Sequence, residues 1–305
     1  MAARGLFSDL RRRAVGFGLS CVWGLARICP WPVFRALTGI VYGAFYFLAR
    51  RLSRGAVESL TIAFGPSLSL SEKKRLARRS FFNLAFGFSR FLYSFARPGH
   101  AAFEPVIEGW ERLTQAQTRG RGIVIAVAHF GPFVWMIHLL AERLGRAHVV
   151  MRPPRGQALR DVLLENQKPV GLRLIYSVPV RACVSACQKA LEAGEAVFMP
   201  IDQNFGGDGR IFVDFFGRKA ATAAGPAVFA QRTGAVLLMA HCVPEGPGRY
   251  RIVIDPPLEP RGGAEGVRDQ MMLLTQRLEE MVRRHPDQWS WMHRRWKAVP
   301  REGEG

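Results

Sequence analysis

The sequence predicts an α/β protein: a mostly parallel sheet flanked by helices, with an N-terminal helical region that associates with a membrane. Three observations lead there. From residue 122 onward, short β-branched runs alternate with stretches of helical period, the pattern of a parallel sheet covered on both faces. The first fifty residues are apolar but interrupted, with arginine clusters at both ends. And 49% of the chain is hydrophobic while its formal charge is +19, from 43 Lys and Arg against 24 Asp and Glu. That balance asks for an anionic partner in an apolar setting, such as an anionic lipid surface or an acidic protein.

The N-terminal stretch RRRAVGFGLSCVWGLARICPWPVFRALTGIVYGAFYFLARRLSR holds two apolar pieces separated by Arg27, Pro30, Pro32 and Arg35. Each piece is about thirteen residues, short of the ~20 that a spanning helix needs. Arginines flank both ends, at Arg11, Arg12 and Arg13 and at Arg50, Arg51 and Arg54, so charge selects no orientation. The expectation is a helical hairpin or shallow anchor over residues 1–55, with an amphipathic pair packed on the soluble body as the alternative. No small-residue cleavage site precedes Arg27, which argues against a secretory signal. Residues 67–97 then carry a helix-start signature: Ser69 or Ser71 as cap and Glu72 in the first turn. The aromatic second half of this helix, with Phe81, Phe82, Phe86, Phe88, Phe91, Tyr93 and Phe95, is expected to serve as core or to touch lipid.

GIVIAVA, AHVVM, LRLIY, AVFMPI, AVLLMAH and RYRIVID read as strands, and 132–144, 156–168, 181–193 and 223–233 as helices between them. The expected organisation is therefore 1–55 as anchor, 56–300 as the α/β domain and 301–305 as a disordered tail. Parallel sheets of this kind bind ligands beyond the carboxyl ends of their strands. The five cysteines, Cys21, Cys29, Cys183, Cys187 and Cys242, form no CxxC pair. Reduced, buried thiols facing a cytoplasmic environment are expected, rather than a disulfide framework or a zinc site. The arginines are interleaved with apolar residues instead of gathered in a basic module, so nucleic acid is not an expected partner. No dinucleotide-binding glycine motif, phosphate-binding loop or HExxH occurs, and no cofactor or metal is expected.

His129 ends the GIVIAVA strand just before a helix, the place where α/β enzymes keep reactive groups. Further on stand an Arg-Pro at a strand end in VVMRPPRGQALRDVLLENQKPVGLRLI and an Asp-Gln at a strand end in GEAVFMPIDQNFGGDGRIFVDFFGRK. LEEMVRRHPDQWSWMHRRWK stands near the end of the sequence, at residues 278–297. In this order, over residues 50–297, the blocks resemble the late (secondary, lauroyl/myristoyl-type) lipid A acyltransferase family within the lysophospholipid acyltransferase superfamily. The resemblance implies a glycerol-3-phosphate-acyltransferase-like fold. It also implies transfer of a fatty acyl chain from acyl carrier protein or acyl-CoA to a hydroxyl or amine of a lipid A precursor, related glycolipid or lysophospholipid. The place implied is the cytoplasmic face of a bacterial inner membrane, and a monomer is expected.

In that family the histidine is followed, five positions on, by an acidic residue that orients and polarises the ring. Here the position is Val134, which can neither accept a hydrogen bond nor carry charge. A second reading follows: a family member without catalysis that binds lipid or an acyl carrier. Asp202, at the carboxyl end of the AVFMPI strand, should reach the same edge as His129 and is expected to orient it or to help position the acceptor, with Gln203 as a neutral hydrogen-bonding neighbour and capping of the following loop as the alternative. Arg152, at the end of AHVVM, is expected to clamp a phosphate or carboxylate. Phe215, Phe216, Gly217 and Arg218 resemble a loop lining the acyl or acceptor pocket, with core packing as the alternative for the two phenylalanines. Thr222 and Gly225 precede a helix whose first amides are free to meet an anion. Trp289, Trp291, His293, Arg294, Arg295, Trp296 and Lys297 have the composition of a bilayer interface.

Overall fold

Residues 21–97, 104–154, 171–246, 248–259 and 261–300 are described by a computed structural model. The chain runs through α1 (Trp31–Leu48), α2 (Arg50–Phe64), α3 (Leu70–Ala96), β1 (Ile107–Glu108), α4 (Trp110–Thr118), β2 (Ile123–Val127), α5 (Phe133–Leu144), β3 (Ala147–Met151) and β4 (Leu172–Tyr176). It continues with α6 (Val180–Glu192), β5 (Ala196–Pro200), β6 (Arg210–Phe215), β7 (Arg218–Ala223), α7 (Gly225–Thr233), β8 (Val236–Gly246), β9 (Arg249–Ile254) and α8 (Gly263–Arg284).

The expected α/β architecture is what the chain adopts. One sheet has the strand order β1-β9-β8-β2-β5-β3-β4, and the neighbours from β8 to β4 pair in parallel. All five residues of β2 are buried, which is why that strand reads as a continuous apolar run rather than an alternation. Two features depart from the reading of the sequence. β9 pairs antiparallel to β8, turning the sheet's last strands around. The segment IFVDFFGRKAATA is a separate antiparallel hairpin of β6 and β7, with Phe215 opposite Arg218, where a pocket-lining loop was expected. Its two-residue turn holds Phe216 and Gly217 at φ of 53° and 69°, the positive values that a tight hairpin turn requires.

Ser69 proves to be the cap of α3: its side chain receives the Glu72 amide while Glu72 reaches back to the Ser69 amide, closing a capping box. The aromatic half of α3 is the floor on which α1 rests. Phe34 and Trp31 pack on Tyr93 at centroid distances of 5.5 and 5.3 Å, and the Tyr42 hydroxyl meets Ser89 Oγ at 2.6 Å. α3 also crosses the loop after β2 at Gly87, where any Cβ would stand 2.7 Å from Pro132 Cα. Only glycine permits that approach.

α1 and α2 meet at a bend of 79°, and no single helix among the described residues is long and apolar enough to cross a membrane. As a bent pair they pass that test of length and composition. α2 runs unbroken through residues 55 and 56, the boundary expected between anchor and α/β domain. The first twenty residues, the helix expected at 156–168 and the tail at 301–305 lie outside the described residues. All five cysteines are free thiols.

Candidate active site

Register alone brings the central pair together. β2 and β5 run side by side with Val127 opposite Pro200, so the chain two residues past each strand end reaches His129 on one side and Asp202 on the other. Parallel strands finish at one edge, and the edge is where the site forms. His129 Nδ1 lies 2.8 Å from Asp202 Oδ1, and the His129 backbone amide donates to Asp202 Oδ2 at 2.9 Å. Asp202 is 2% exposed and takes a third donor, the Trp289 indole N–H, at 2.9 Å. Burial by itself would push the carboxyl upward. The His129 ring, its amide and the Trp289 indole outweigh burial and hold the carboxyl down at about 2.

For His129 the balance runs the other way. Burial disfavours the charged ring, but the adjacent Asp202 carboxylate overcomes it, and the pKa is raised above the ordinary histidine value. The ring stays 24% exposed and packs on Phe133 at a centroid distance of 4.7 Å. An ionised carboxylate only accepts, so Nδ1 carries the proton and Nε2 offers its lone pair outward. Gln203 Nε2 stands 3.0 Å from that nitrogen. Val134 joins a different neighbourhood, the apolar cluster of Phe91, Leu92 and Trp135.

The C-terminal segment holds both loops of the site in place. Toward the His129 loop, Ser290 N–H donates to the His129 carbonyl at 3.0 Å, Gly131 N–H donates to the Gln288 carbonyl at 2.8 Å, and Phe130 pairs with Trp289. Gly131 sits at φ 55°, a value open to glycine at no steric cost. Toward the Asp202 loop, Arg295 Nη1 donates to the Gln203 carbonyl at 3.2 Å, Asn204 N–H donates to His293 Nε2 at 2.7 Å, and Ala298 N–H donates to Asn204 Oδ1 at 2.9 Å.

Trp289, Trp291 and Arg295 are each 0% exposed, which corrects the expectation of a bilayer-facing Trp/Arg segment. Their polar heads are consumed inside: the Trp291 indole donates to the Pro286 carbonyl and the Trp296 indole to the Phe215 carbonyl. The Arg295 guanidinium donates to the Ala221 carbonyl and Thr222 Oγ1 and lies over the Phe215 ring. Burial pushes the Arg295 pKa down to about 10, with Asp202 the anion that opposes the shift. His293, whose Nε2 accepts from Asn204, is lowered chiefly by burial.

Of the remaining sequence candidates, Arg152 is exposed just past β3 on the same edge, near enough for its charge to act on His293. Phe215 and Phe216 are buried against each other and against Trp289, Trp291 and Trp296. They form the layer behind Asp202, while Gly217 and Arg218 make the hairpin's turn and exposed flank. Thr222 is buried within β7 and occupied by Arg295, so it does not present itself at a helix N-terminus. Among the described residues no cluster of three or more His, Cys, Asp or Glu side chains could hold a metal. The roles of Trp289, Asn204 and Arg295 as supports were missed from sequence. The C-terminal block was visible, and its indole donors were the signal to ask which buried carboxylate they serve.

A family model described as bacterial lipid A biosynthesis acyltransferase matches residues 7–298. The chain belongs to that family. Its relatives include the lipid A biosynthesis palmitoleoyltransferase of Escherichia coli (strain K12), 28% identical over 298 residues, which cover 93% of this chain and 91% of the relative. The lipid A biosynthesis lauroyltransferase of the same organism is 26% identical over 293 residues, with 93% and 91% covered. A phosphatidylinositol mannoside acyltransferase of Mycobacterium tuberculosis (strain ATCC 25618 / H37Rv) is 27% identical over 194 residues, covering 63% of this chain and 60% of the relative. The resemblance carried by the sequence blocks is thus shown, and with it the class of enzyme, an acyltransferase.

Proposed function

We propose that this acyltransferase moves a fatty acyl chain from a thioester of acyl carrier protein or coenzyme A to a hydroxyl of a lipid A precursor or related phosphorylated glycolipid. The acceptor oxygen attacks the thioester carbonyl while His129 Nε2 takes its proton. The tetrahedral intermediate then collapses, the C–S bond breaks, and the thiolate leaves with the proton returned from Nε2. Asp202 keeps Nδ1–H in place and balances the imidazolium that forms. Arg152 holds an anionic group of the acceptor or of the donor arm.

The observation that carries this reading is the 2.8 Å contact between His129 Nδ1 and Asp202 Oδ1. It supplies from β5 the carboxylate that Val134 cannot supply from α5, so the missing acid no longer argues for a binding-only role. The formal charge of +19 supports an acidic carrier as donor, by electrostatic steering. The glycolipid substrates in the relatives' names support a glycolipid acceptor. The exposed apolar side chains of α1, Phe47 and Leu48 among them, support attachment to a membrane surface.

The test uses the full chain with bacterial membrane lipid extract and labelled dodecanoyl thioesters of acyl carrier protein and of coenzyme A in parallel arms. His129→Ala is expected to lower transfer by about 10²–10⁴-fold. Transfer that persists unchanged in that variant overturns the assignment of the base, and the preferred arm identifies the donor.

A further inference from the structure

The carboxamide of Gln203 lies on the one ring nitrogen that acyl transfer needs. With Nδ1–H committed to Asp202, Nε2 is the lone pair that must receive a proton. Gln203 Nε2 is 3.0 Å away, and an amide nitrogen donates but does not accept, so the contact is N–H···N. That lone pair is therefore already filled when no substrate is bound.

The backbone around Gln203 is pinned while its side chain is exposed. Arg295 holds the Gln203 carbonyl, the preceding Asp202 is fixed by His129 and Trp289, and the following Asn204 is fixed by His293 and Ala298. What is left to move is the set of side-chain torsions of Gln203. A rigid mount with a swinging donor over the base nitrogen is the construction of a removable cap.

We infer that Gln203 caps His129 Nε2 against water until an acceptor hydroxyl displaces it, and so sets the partition between acyl transfer and thioester hydrolysis. The inference rests on the acyl-transfer reading above. Hydrolysis uses the same geometry as transfer. Water oxygen attacks the thioester carbonyl, its proton goes to Nε2, the C–S bond breaks, and the thiolate leaves with that proton, giving a fatty acid and a thiol. A lone water brings one hydrogen bond and competes poorly with a tethered donor. An acceptor held elsewhere by its head group and acyl chains brings binding energy that can drive the displacement. The cap thus yields to the acceptor and not to solvent.

Two measurements test this on the full-length protein, with Gln203→Leu, which keeps bulk and removes the donor, and Gln203→Ala. The first needs no substrate: diethyl pyrocarbonate acylates unprotonated imidazole, and His129 modification is followed by peptide mass spectrometry at pH 8. Both variants should label about fivefold to tenfold faster than wild type, the size of one net hydrogen bond. Equal rates in wild type and Gln203→Leu overturn the cap. The second supplies dodecanoyl-CoA and dodecanoyl acyl carrier protein with and without membrane lipid extract. The ratio of transfer to hydrolysis should drop about tenfold in Gln203→Leu. A ratio that stays constant overturns the role in partition. If wild type transfers nothing under any condition, the proposed transfer reaction fails on its own, and the labelling rates still decide the cap.

Discussion

The segment from His285 to Ala298 and helix α1 are written in similar letters, aromatic rings bordered by arginines, yet the first goes inside while the C-terminal half of the second stays largely outside. In the first, Trp289, Trp291 and Arg295 are entirely buried. In the second, Phe47 is 70% and Leu48 78% exposed, with no charged residue between Arg35 and Arg50. What separates them is the polar head. An indole N–H or a guanidinium can enter a core only where acceptors wait for it. Here Asp202, Pro286, Phe215, Gln203, Ala221 and Thr222 supply those acceptors. The phenylalanines, isoleucine and leucine of α1 have no heads to satisfy. They are free to meet any apolar phase, inside the protein or outside it.

The comparison breaks most severely where the C-terminal segment meets the chemistry. Asp202→Asn removes the anion that orients His129 and leaves the Trp289 and His129 donors facing an amide. The expected loss in kcat/KM is about 10²–10⁴-fold. The pH profile gives the sign. With His129 as the proposed base, transfer needs the neutral ring, so activity should fall as pH drops through the His129 pKa, which Asp202 raises against burial. Without the carboxylate, burial acts unopposed and the acid limb should move to lower pH even as the maximum shrinks. A limb that moves upward contradicts the electrostatic account. The same carboxyl, lowered to about 2, stabilises the fold above its unfolded pKa and ceases to do so as pH falls toward 2. The stability gap between wild type and Asp202→Asn should therefore narrow over that window in urea titrations.

Trp289→Phe is the milder break. It keeps a ring beside Phe215 and deletes the donor to Asp202 Oδ2. Removing one donor from a buried charged acceptor costs about 1–3 kcal/mol, measurable as a lowered thermal midpoint. Transfer should fall by about tenfold, because Asp202 keeps its two contacts with His129. Loss of stability with full activity would separate the indole from the site.

Much of this is legible in the sequence. β2 and β5 announced themselves as β-branched apolar runs, and since parallel strands end at one edge, His129 and Asp202 could be placed together from sequence alone. The helix start at Ser69 or Ser71, with Glu72 in the first turn, is equally plain, and the structure selects Ser69. Other features were hidden for identifiable reasons. The β6–β7 hairpin turns on Phe216 and Gly217, and phenylalanine at positive φ carries none of the Asn-Gly or Asp-Gly signal that marks such turns. The reversed direction of β9 is a property of pairing, which an apolar run does not encode. The C-terminal tryptophans are placed wrongly by composition, which names donors without naming their acceptors: Pro286 lies five residues before Trp291, but Asp202 and Phe215 stand 87 and 81 residues before Trp289 and Trp296.

The smallest effect on the folded protein is expected at the other pole of the comparison, in α1. In Phe47→Ser with Leu48→Ser, little packing is lost, because both side chains stand mostly clear of the protein, and exposed substitutions change stability by no more than about 0.5 kcal/mol. The His129–Asp202 contact lies just past the ends of β2 and β5 and should be untouched. In solution assays with detergent-dispersed lipid, transfer should match wild type. Binding to anionic vesicles is another matter, since burying each such side chain in an apolar phase is worth about 1.5–3 kcal/mol. Co-flotation with phosphatidylglycerol vesicles should weaken by at least about tenfold. Trp289→Phe should float like wild type. If the double variant instead melts early and floats normally, α1 is a core element whose cover lies elsewhere in the protein. The contrast drawn from the polar heads would then fail at this end, while Asp202 and Trp289 would still hold it at the other.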